Sequence, residues 1–275
     1  MIALLALVGA AIGSFLNVVI DRVPAGESLL RPPSHCPSCG CTLGIRDLVP
    51  VFSYVALRGR CRTCRAPIPW RVPAVEVATA GLFAFLWIAL SPASPGDALW
   101  FAAVTVYSCI MVVLFVVDLE HRRVPNVIVL PATALALTMA PALAWVAPRY
   151  AHYGLLELLA LSGAAAIPPL ALAGQVAGGV AAFGVLWLIW RVAPQGMGAG
   201  DVKLAAFAGL ITGFPGALAA VFGSFIIGGA VGASLLVSGR ADRKTAIPFA
   251  PILIITAFVT MIYGDDLLAW YLGTL

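Results

Sequence analysis

Apolar runs long enough to cross a membrane recur along the whole chain, and no other feature restricts the possible folds as much. They cover Met1–Ile20, Pro73–Leu90, Ala98–Val117, Val127–Ala147, Gly174–Trp190, a shorter stretch near Val202–Thr212, Gly216–Val237 and Ile247–Tyr263. About 20 mostly apolar residues in a helix span the hydrocarbon of a bilayer. Only 10% of the 275 residues are charged and 62% are apolar, with a mean hydropathy of +1.03. A water-soluble fold could not cover that much apolar surface. The same composition excludes a disordered chain, a coiled coil and a secreted disulfide scaffold. The expected architecture is an all-α polytopic membrane protein of about eight transmembrane helices. The sixth stretch is short and the last two are interrupted by Gly or Pro. Lipid tolerates such breaks only where the backbone is buried in protein or lines a cavity.

Charge placement sets the orientation. No basic residue precedes the first run and Arg22 follows it, so it reads as an uncleaved helix with its N-terminus outside. Cytoplasmic loops of membrane proteins are enriched in Lys and Arg. With eight crossings, every Lys and Arg except Arg149 falls in an inside loop: eight Arg within 21–72, then Arg122 and Arg123, Arg191 and Lys203, and Arg240, Arg243 and Lys244. The stretch Leu155–Leu172 is apolar but broken by Glu157, Pro168 and Pro169. A further crossing there would put Arg191 and Lys203 on the wrong side. It is therefore expected to lie at the outer interface or to re-enter.

The chain thus divides into a first transmembrane helix (1–20), a polar cytoplasmic loop domain (21–72) and a multi-helix membrane domain (73–275). The loop holds five of the six Cys. Cys36-Pro-Ser-Cys39 and Cys61-Arg-Thr-Cys64 are two C-x2-C turns separated by 21 residues. Each turn offers two thiolates to one ion, and four thiolates close a tetrahedral zinc site. Such a site has no open position and is structural, the staple that a loop with so little core needs. Cys36, Cys39, Cys61 and Cys64 are the expected ligands of Zn2+. The competing readings are disulfides, disfavoured on a reducing side of the membrane, and buried unmetallated thiols. Cys41 and Cys109 read as small apolar residues, and Gly40 and Gly59 as turn positions beside the two knuckles. The loop's arginines resemble a nucleic-acid surface, but Phe52, Tyr54 and Trp70 are not interleaved with them as stacking platforms. Retention on the inner side and attraction to anionic membrane lipids account for the charge, and no nucleic acid is expected as a partner.

Ionisable groups at membrane depth are costly and mark function. Of the 12 acidic residues, Asp97, Asp265 and Asp266 read as solvated at outer helix ends. Glu76, inside the second run, is either a partner for a base or part of a site. Asp118 ends the third run and precedes Val124-Pro125-Asn126, where Asn126 can cap the next helix. Asp201 lies in Gly198-Ala199-Gly200-Asp201-Val202-Lys203, whose glycines allow close backbone approach. Both carboxylates are expected at the cytoplasmic boundary on different helices. Within hydrogen-bond reach they would share a proton and titrate as one unit. One would then deprotonate water while the other, protonated, polarises a scissile carbonyl. The alternative is that each is a local partner: Asp118 of Arg122, Asp201 of the amides of its own helix.

Several separated motifs, in order, resemble the type IV prepilin peptidases, membrane-embedded aspartic proteases. These are Gly13-Ser14-Phe15-Leu16-Asn17-Val18-Val19-Ile20-Asp21-Arg22, the two cysteine turns with Ser34-His35 and Arg58-Gly59-Arg60 before them, Asp118-Leu119 with Val124-Pro125-Asn126, Gly198 to Leu204, and Ile247-Pro248-Phe249-Ala250-Pro251. The resemblance covers nearly the whole chain except Arg149–Gly174. It implies Asp118 and Asp201 as the catalytic pair. It also implies cleavage of a short basic leader, typically after glycine, from type IV prepilins or type II pseudopilins of pilus or type II secretion systems. The expected location is the bacterial inner membrane. The resemblance further implies S-adenosyl-L-methionine-dependent N-methylation of the new amine, although no Gly-rich cofactor motif of the soluble kind is present.

Two other classes compete. A proton-coupled transporter would use the aspartates as a relay, but it needs a polar path outward, and the fourth, seventh and eighth runs carry almost no polar residues beyond Ser and Thr. A membrane-anchored zinc module leaves both aspartate motifs without purpose. His35, His121 and His152 have no catalytic company, no serine nucleophile with a base lies in a run, and no H-E-x-x-H occurs.

Overall fold

The computed structural model describes residues 1–146, 168–194, 196–239 and 248–273. They form nine α-helices: α1 (Ile2–Ala25), α2 (Phe52–Ala56), α3 (Arg71–Leu90), α4 (Pro95–His121), α5 (Asn126–Val146), α6 (Pro168–Val192), α7 (Ala199–Thr212), α8 (Gly216–Val237) and α9 (Ala250–Gly273), with one 3-10 turn, Ile45–Asp47. There is no strand among the described residues, only two isolated bridges in the cysteine loop. All of the helices except α2 and α7 are long and apolar enough to cross a membrane, seven in number. At 1.5 Å per residue, the 14 residues of α7 cover about 21 Å, short of a hydrocarbon core of about 30 Å. The expected sixth span is therefore a buried helix enclosed by protein, as a short helix at membrane depth must be. The protein is a multi-pass membrane protein. The part of the Leu155–Leu172 stretch up to residue 167 lies outside the described residues, and Pro168 onward belongs to α6.

Large apolar side chains on the helix exteriors face outward, among them Leu7 (69% exposed) on α1 and Ile226 (72%) on α8. In water such faces would aggregate; in lipid they are the solvated surface. Hydroxyls in the spans bond back to their own helices: Thr79 donates to Val75 O (2.7 Å), Thr133 to Val129 O (2.7 Å), Ser224 to Val221 O (2.6 Å) and Thr260 to Thr256 O (2.8 Å). With no water to turn to, a hydroxyl takes the carbonyl a turn before it.

Two compact units are distinguished, Met1–Ala93 with Val104–Val113, and Ser94–Ala103 with Leu114–Leu275. In the first, α1 packs along α3. Asn17, buried on α1, donates to Gly13 O (3.2 Å) and across to Val72 O (3.0 Å). Arg71 Nη2 reaches Asp21 Oδ1 at 2.5 Å. The buried Arg22 donates to Ser28 O (2.8 Å) and Pro32 O (2.7 Å), fixing the chain as it leaves the helix. The motif around Gly13–Arg22 thus joins two helices and starts the loop.

In the second unit, α7 is surrounded by α5, α6, α8 and α9. Residues Phe207 through Thr212 are all buried. Its closest neighbour is α6: a Cβ on Gly178 would fall 2.5 Å from the carbonyl carbon of Gly213, and one on Gly209 would overlap Gly178 O. Lipid offers no hydrophobic drive between helices, so close backbone packing through small residues holds them. α5 packs against both α6 and α7. The start of α4 is closed by a capping box: Ser94 Oγ accepts from Asp97 N–H (3.2 Å) and Asp97 Oδ2 accepts from Ser94 N–H (2.9 Å). Asp97, expected to be solvated, is a buried cap residue instead.

Candidate metal centre and candidate active site

The two cysteine turns of the first unit fold alike. Cys36 N–H donates to Cys41 O (2.9 Å) and Gly40 N–H to Cys36 O (2.8 Å); in the second turn Cys61 N–H donates to Ala66 O (2.8 Å) and Arg65 N–H to Cys61 O (3.1 Å). A bridge closes each turn, His35 with Thr42 and Arg60 with Pro67. Gly40 and Gly59, expected at turns, both have positive φ (69° and 67°). The Sγ atoms of Cys36, Cys39, Cys61 and Cys64 all lie within 4.8 Å of one another. Cys36 and Cys64 are 3.8 Å apart, and a tetrahedron with Zn–S bonds of 2.3 Å has edges of about 3.8 Å.

The thiols are electrostatically unequal. Backbone N–H groups of Cys39 and Ser38 hold the Cys36 thiol low, and those of Cys64 and Thr63 bring Cys61 down to about 6. Cys39 and Cys64 sit above the usual thiol range: the N–H groups of Cys41 and Ala66 favour their ionised forms, but burial and crowding by neighbouring thiols outweigh them. Two thiols ionise readily and two resist, so a dication is what allows all four to ionise together. The donor set fits a closed metal site. Cys41, expected as a bland apolar residue, instead places its Sγ 3.2 Å from Cys39 Sγ and 3.9 Å from Cys61 Sγ.

Glu76 is buried on α3, and its Oε2 accepts the N–H of Val51 at 2.6 Å. It ties the backbone at the start of α2 to a membrane helix.

The second unit holds both aspartates of interest. α4 ends at His121, and Arg122, in the left-handed region (φ 52°), donates its N–H to Asp118 O at 2.8 Å. The chain then turns through Arg123-Val124-Pro125 into α5, whose first residue is Asn126. Expected to cap α5, Asn126 turns its Oδ1 to Lys203 Nζ at 2.8 Å. Gly200 lets the start of α7 approach this turn, because a Cβ there would lie 2.9 Å from Val124 Cβ. These two contacts, each within a turn of Asp201, bring the end of α4 beside the start of α7.

Asp118 is buried (5% exposed) in the last turn of α4. Asp201 is half-buried, and burial pushes its carboxyl up to about 6, with the charge of Asp118 pushing the same way and the Gly198 N–H opposing. The Gly198 N–H donates to Asp201 Oδ2 at 3.2 Å. Asp201 thus keeps a local partner, the Gly198 N–H, while the charge of Asp118 also acts on it. Lys203 and Val124 are links that residue types alone did not single out; their signal was only their place inside the two aspartate motifs.

Residues 7–90 match the family model for the bacterial peptidase A24 N-terminal domain, and residues 105–233 that for the type IV leader peptidase family. A prepilin leader peptidase/N-methyltransferase of Bacillus subtilis (strain 168) is 30% identical over 275 residues, covering 99% of this chain and 98% of that protein. One from Pseudomonas aeruginosa is 30% identical (97% and 91% covered), and one from Xanthomonas campestris pv. campestris is 32% identical (96% and 92%). No solved structure matches. With both family models matched in order and similarity running end to end, the chain belongs to the type IV leader peptidase family.

Proposed function

We propose that this membrane enzyme is an aspartic endopeptidase that removes the basic leader from type IV prepilins or type II pseudopilins, with Asp118 and Asp201 as its catalytic pair. The approach of the two carboxylates, from the end of α4 and the start of α7, carries the reading. Asp201, whose carboxyl is raised by burial and by the nearby Asp118 charge, is the group suited to keep a proton, which leaves the role of general base to Asp118. Asp118 then takes a proton from water as the water oxygen attacks the scissile carbonyl carbon, while Asp201 donates a hydrogen bond to the carbonyl oxygen. Collapse of the tetrahedral intermediate breaks the C–N bond, and the leaving amine takes the proton back from a carboxyl group. The positive-inside distribution of Lys and Arg favours an N-terminus outside, with the cysteine loop and this site on the cytoplasmic side of the inner membrane. A basic leader in the cytoplasm and an apolar substrate helix in lipid would meet at such a boundary.

Zn2+ at Cys36, Cys39, Cys61 and Cys64 is the structural metal of this reading, stapling a loop domain spanning 21–72 beside a first helix (1–20) and a catalytic membrane domain (73–275). Methylation of the new N-terminus is part of the proposal because the relatives are named N-methyltransferases; S-adenosylmethionine would supply the methyl group. The cavity between α8 and α9, lined by Ser224, Phe225, Gly228, Gly229, Phe249 and Ile252, has a single hydroxyl among apolar walls and does not fit a charged nucleoside, so no residue is assigned to that donor. The transporter reading has no support: Thr133 of α5, Ser224 of α8 and Thr260 of α9 are engaged by their own helices.

The test is cleavage of a prepilin by purified wild type, Asp118→Asn and Asp201→Asn, with zinc content and helicity as checks on folding. Each variant is expected to keep its fold and lose at least about 1,000-fold in rate, on the order of the loss when one essential catalytic group is removed. A folded variant that cleaves at near wild-type rate sinks the assignment.

A further inference from the structure

The two knuckles are structurally equivalent, yet one carries an additional thiol. In each, the residue five places after the first cysteine accepts that cysteine's N–H: Cys41 accepts from Cys36 (2.9 Å) and Ala66 from Cys61 (2.8 Å). In each, a second backbone bond closes the turn: Gly40 N–H donates to Cys36 O (2.8 Å) and Arg65 N–H to Cys61 O (3.1 Å). The knuckle backbone therefore fixes this position beside the cluster. Ala66 has nothing to offer a metal there. Cys41 has a sulfur, 3.2 Å from Cys39 Sγ and 3.9 Å from Cys61 Sγ. The second distance is about one edge of a four-sulfur tetrahedron around zinc. Cys41 is also half-buried, whereas Cys39 is the exposed thiol of its turn.

We propose that Cys41 is a reserve metal ligand that completes the site with Cys36, Cys61 and Cys64 when Cys39 is lost. The inference rests on the zinc reading above and extends it to an asymmetry within the centre. Cys39 is replaceable because a thiol stands next to it on a backbone already held by Cys36. Cys64, its counterpart in the other knuckle, is not replaceable, because alanine occupies the equivalent place.

The full chain, purified in detergent micelles, is dialysed against a chelator and its zinc per chain measured. Wild type, Cys41→Ala and Cys39→Ala are expected to retain zinc, while Cys39→Ala/Cys41→Ala and Cys64→Ala lose it. Adding Ala66→Cys to Cys64→Ala should restore it, a gain that general damage to the fold cannot produce. The inference is overturned if Cys39→Ala loses zinc as fully as the double variant, or if Ala66→Cys restores nothing. Zinc retained by the double variant or by Cys64→Ala would mean that three thiolates suffice, which also overturns it. A wild type without zinc removes the metal reading and this inference together; a zinc-bearing wild type beside a zinc-free Cys39→Ala removes this inference alone.

Discussion

Asp201 begins to titrate near neutrality because half-burial and a neighbouring carboxylate both disfavour its charge, bringing it to about 6. The direction of the effect on rate follows. Below that value Asp201 is protonated and can donate to the scissile carbonyl; above it the proton is lost and both carboxylates become anionic. The pH dependence of kcat/KM, which reports the free enzyme, should therefore fall on an alkaline limb near pH 6. Substrate binding excludes more water, so the limb in kcat should lie higher. A rate that rises steadily from pH 5 to pH 8 would contradict this assignment of the proton. Among the other acidic residues, the sequence did not reveal what Asp97 and Glu76 do. Asp97 and Glu76 both accept backbone N–H groups. That role depends on where a turn of backbone comes to rest, which residue type and spacing do not reveal.

Element lengths were legible because the hydrocarbon core imposes them; every span expected to be full length corresponds to a helix of 20 residues or more. What was less legible is how α7, shorter than the hydrocarbon core is thick, is held. Its packing relies on absent side chains, and the absence of a side chain carries no periodic signal. Gly209 is the sharpest case, since any Cβ there would overlap the carbonyl of Gly178. Gly209→Val should force α6 and α7 apart and cost about 3 kcal/mol, at the upper end of overpacking penalties. Thermal unfolding followed by helical circular dichroism would read the loss, and cleavage should fall with it because α7 carries Asp201. An unchanged midpoint would show that the two helices are not in backbone contact. That the two cysteine turns close into one four-thiol cluster was readable from their spacing. The fifth thiol was not, because its place beside the cluster comes from the hydrogen bonding of the knuckle and not from the C-x2-C spacing.

For the molecule as a whole, the aspartate pair does not depend on how the chain travels from α5 to α6. α5 packs directly on α6 and on α7; its first residue is joined to α7 by the Asn126–Lys203 hydrogen bond, and the turn before it by the Val124–Gly200 approach. Membrane helices form individually and then associate through such contacts. The covalent link across 147–167 therefore closes a circuit that side-by-side contacts already complete. The enzyme should accordingly work as two polypeptides. Co-expression of residues 1–155 with residues 156–275 should yield fragments that co-purify and cleave a prepilin, whereas neither fragment alone should do so. Fragments that insert yet fail to associate would show that the peptide link itself holds the pair together. If they do associate, a gene encoding this fold could be divided there without loss of its chemistry, and each half would carry one aspartate.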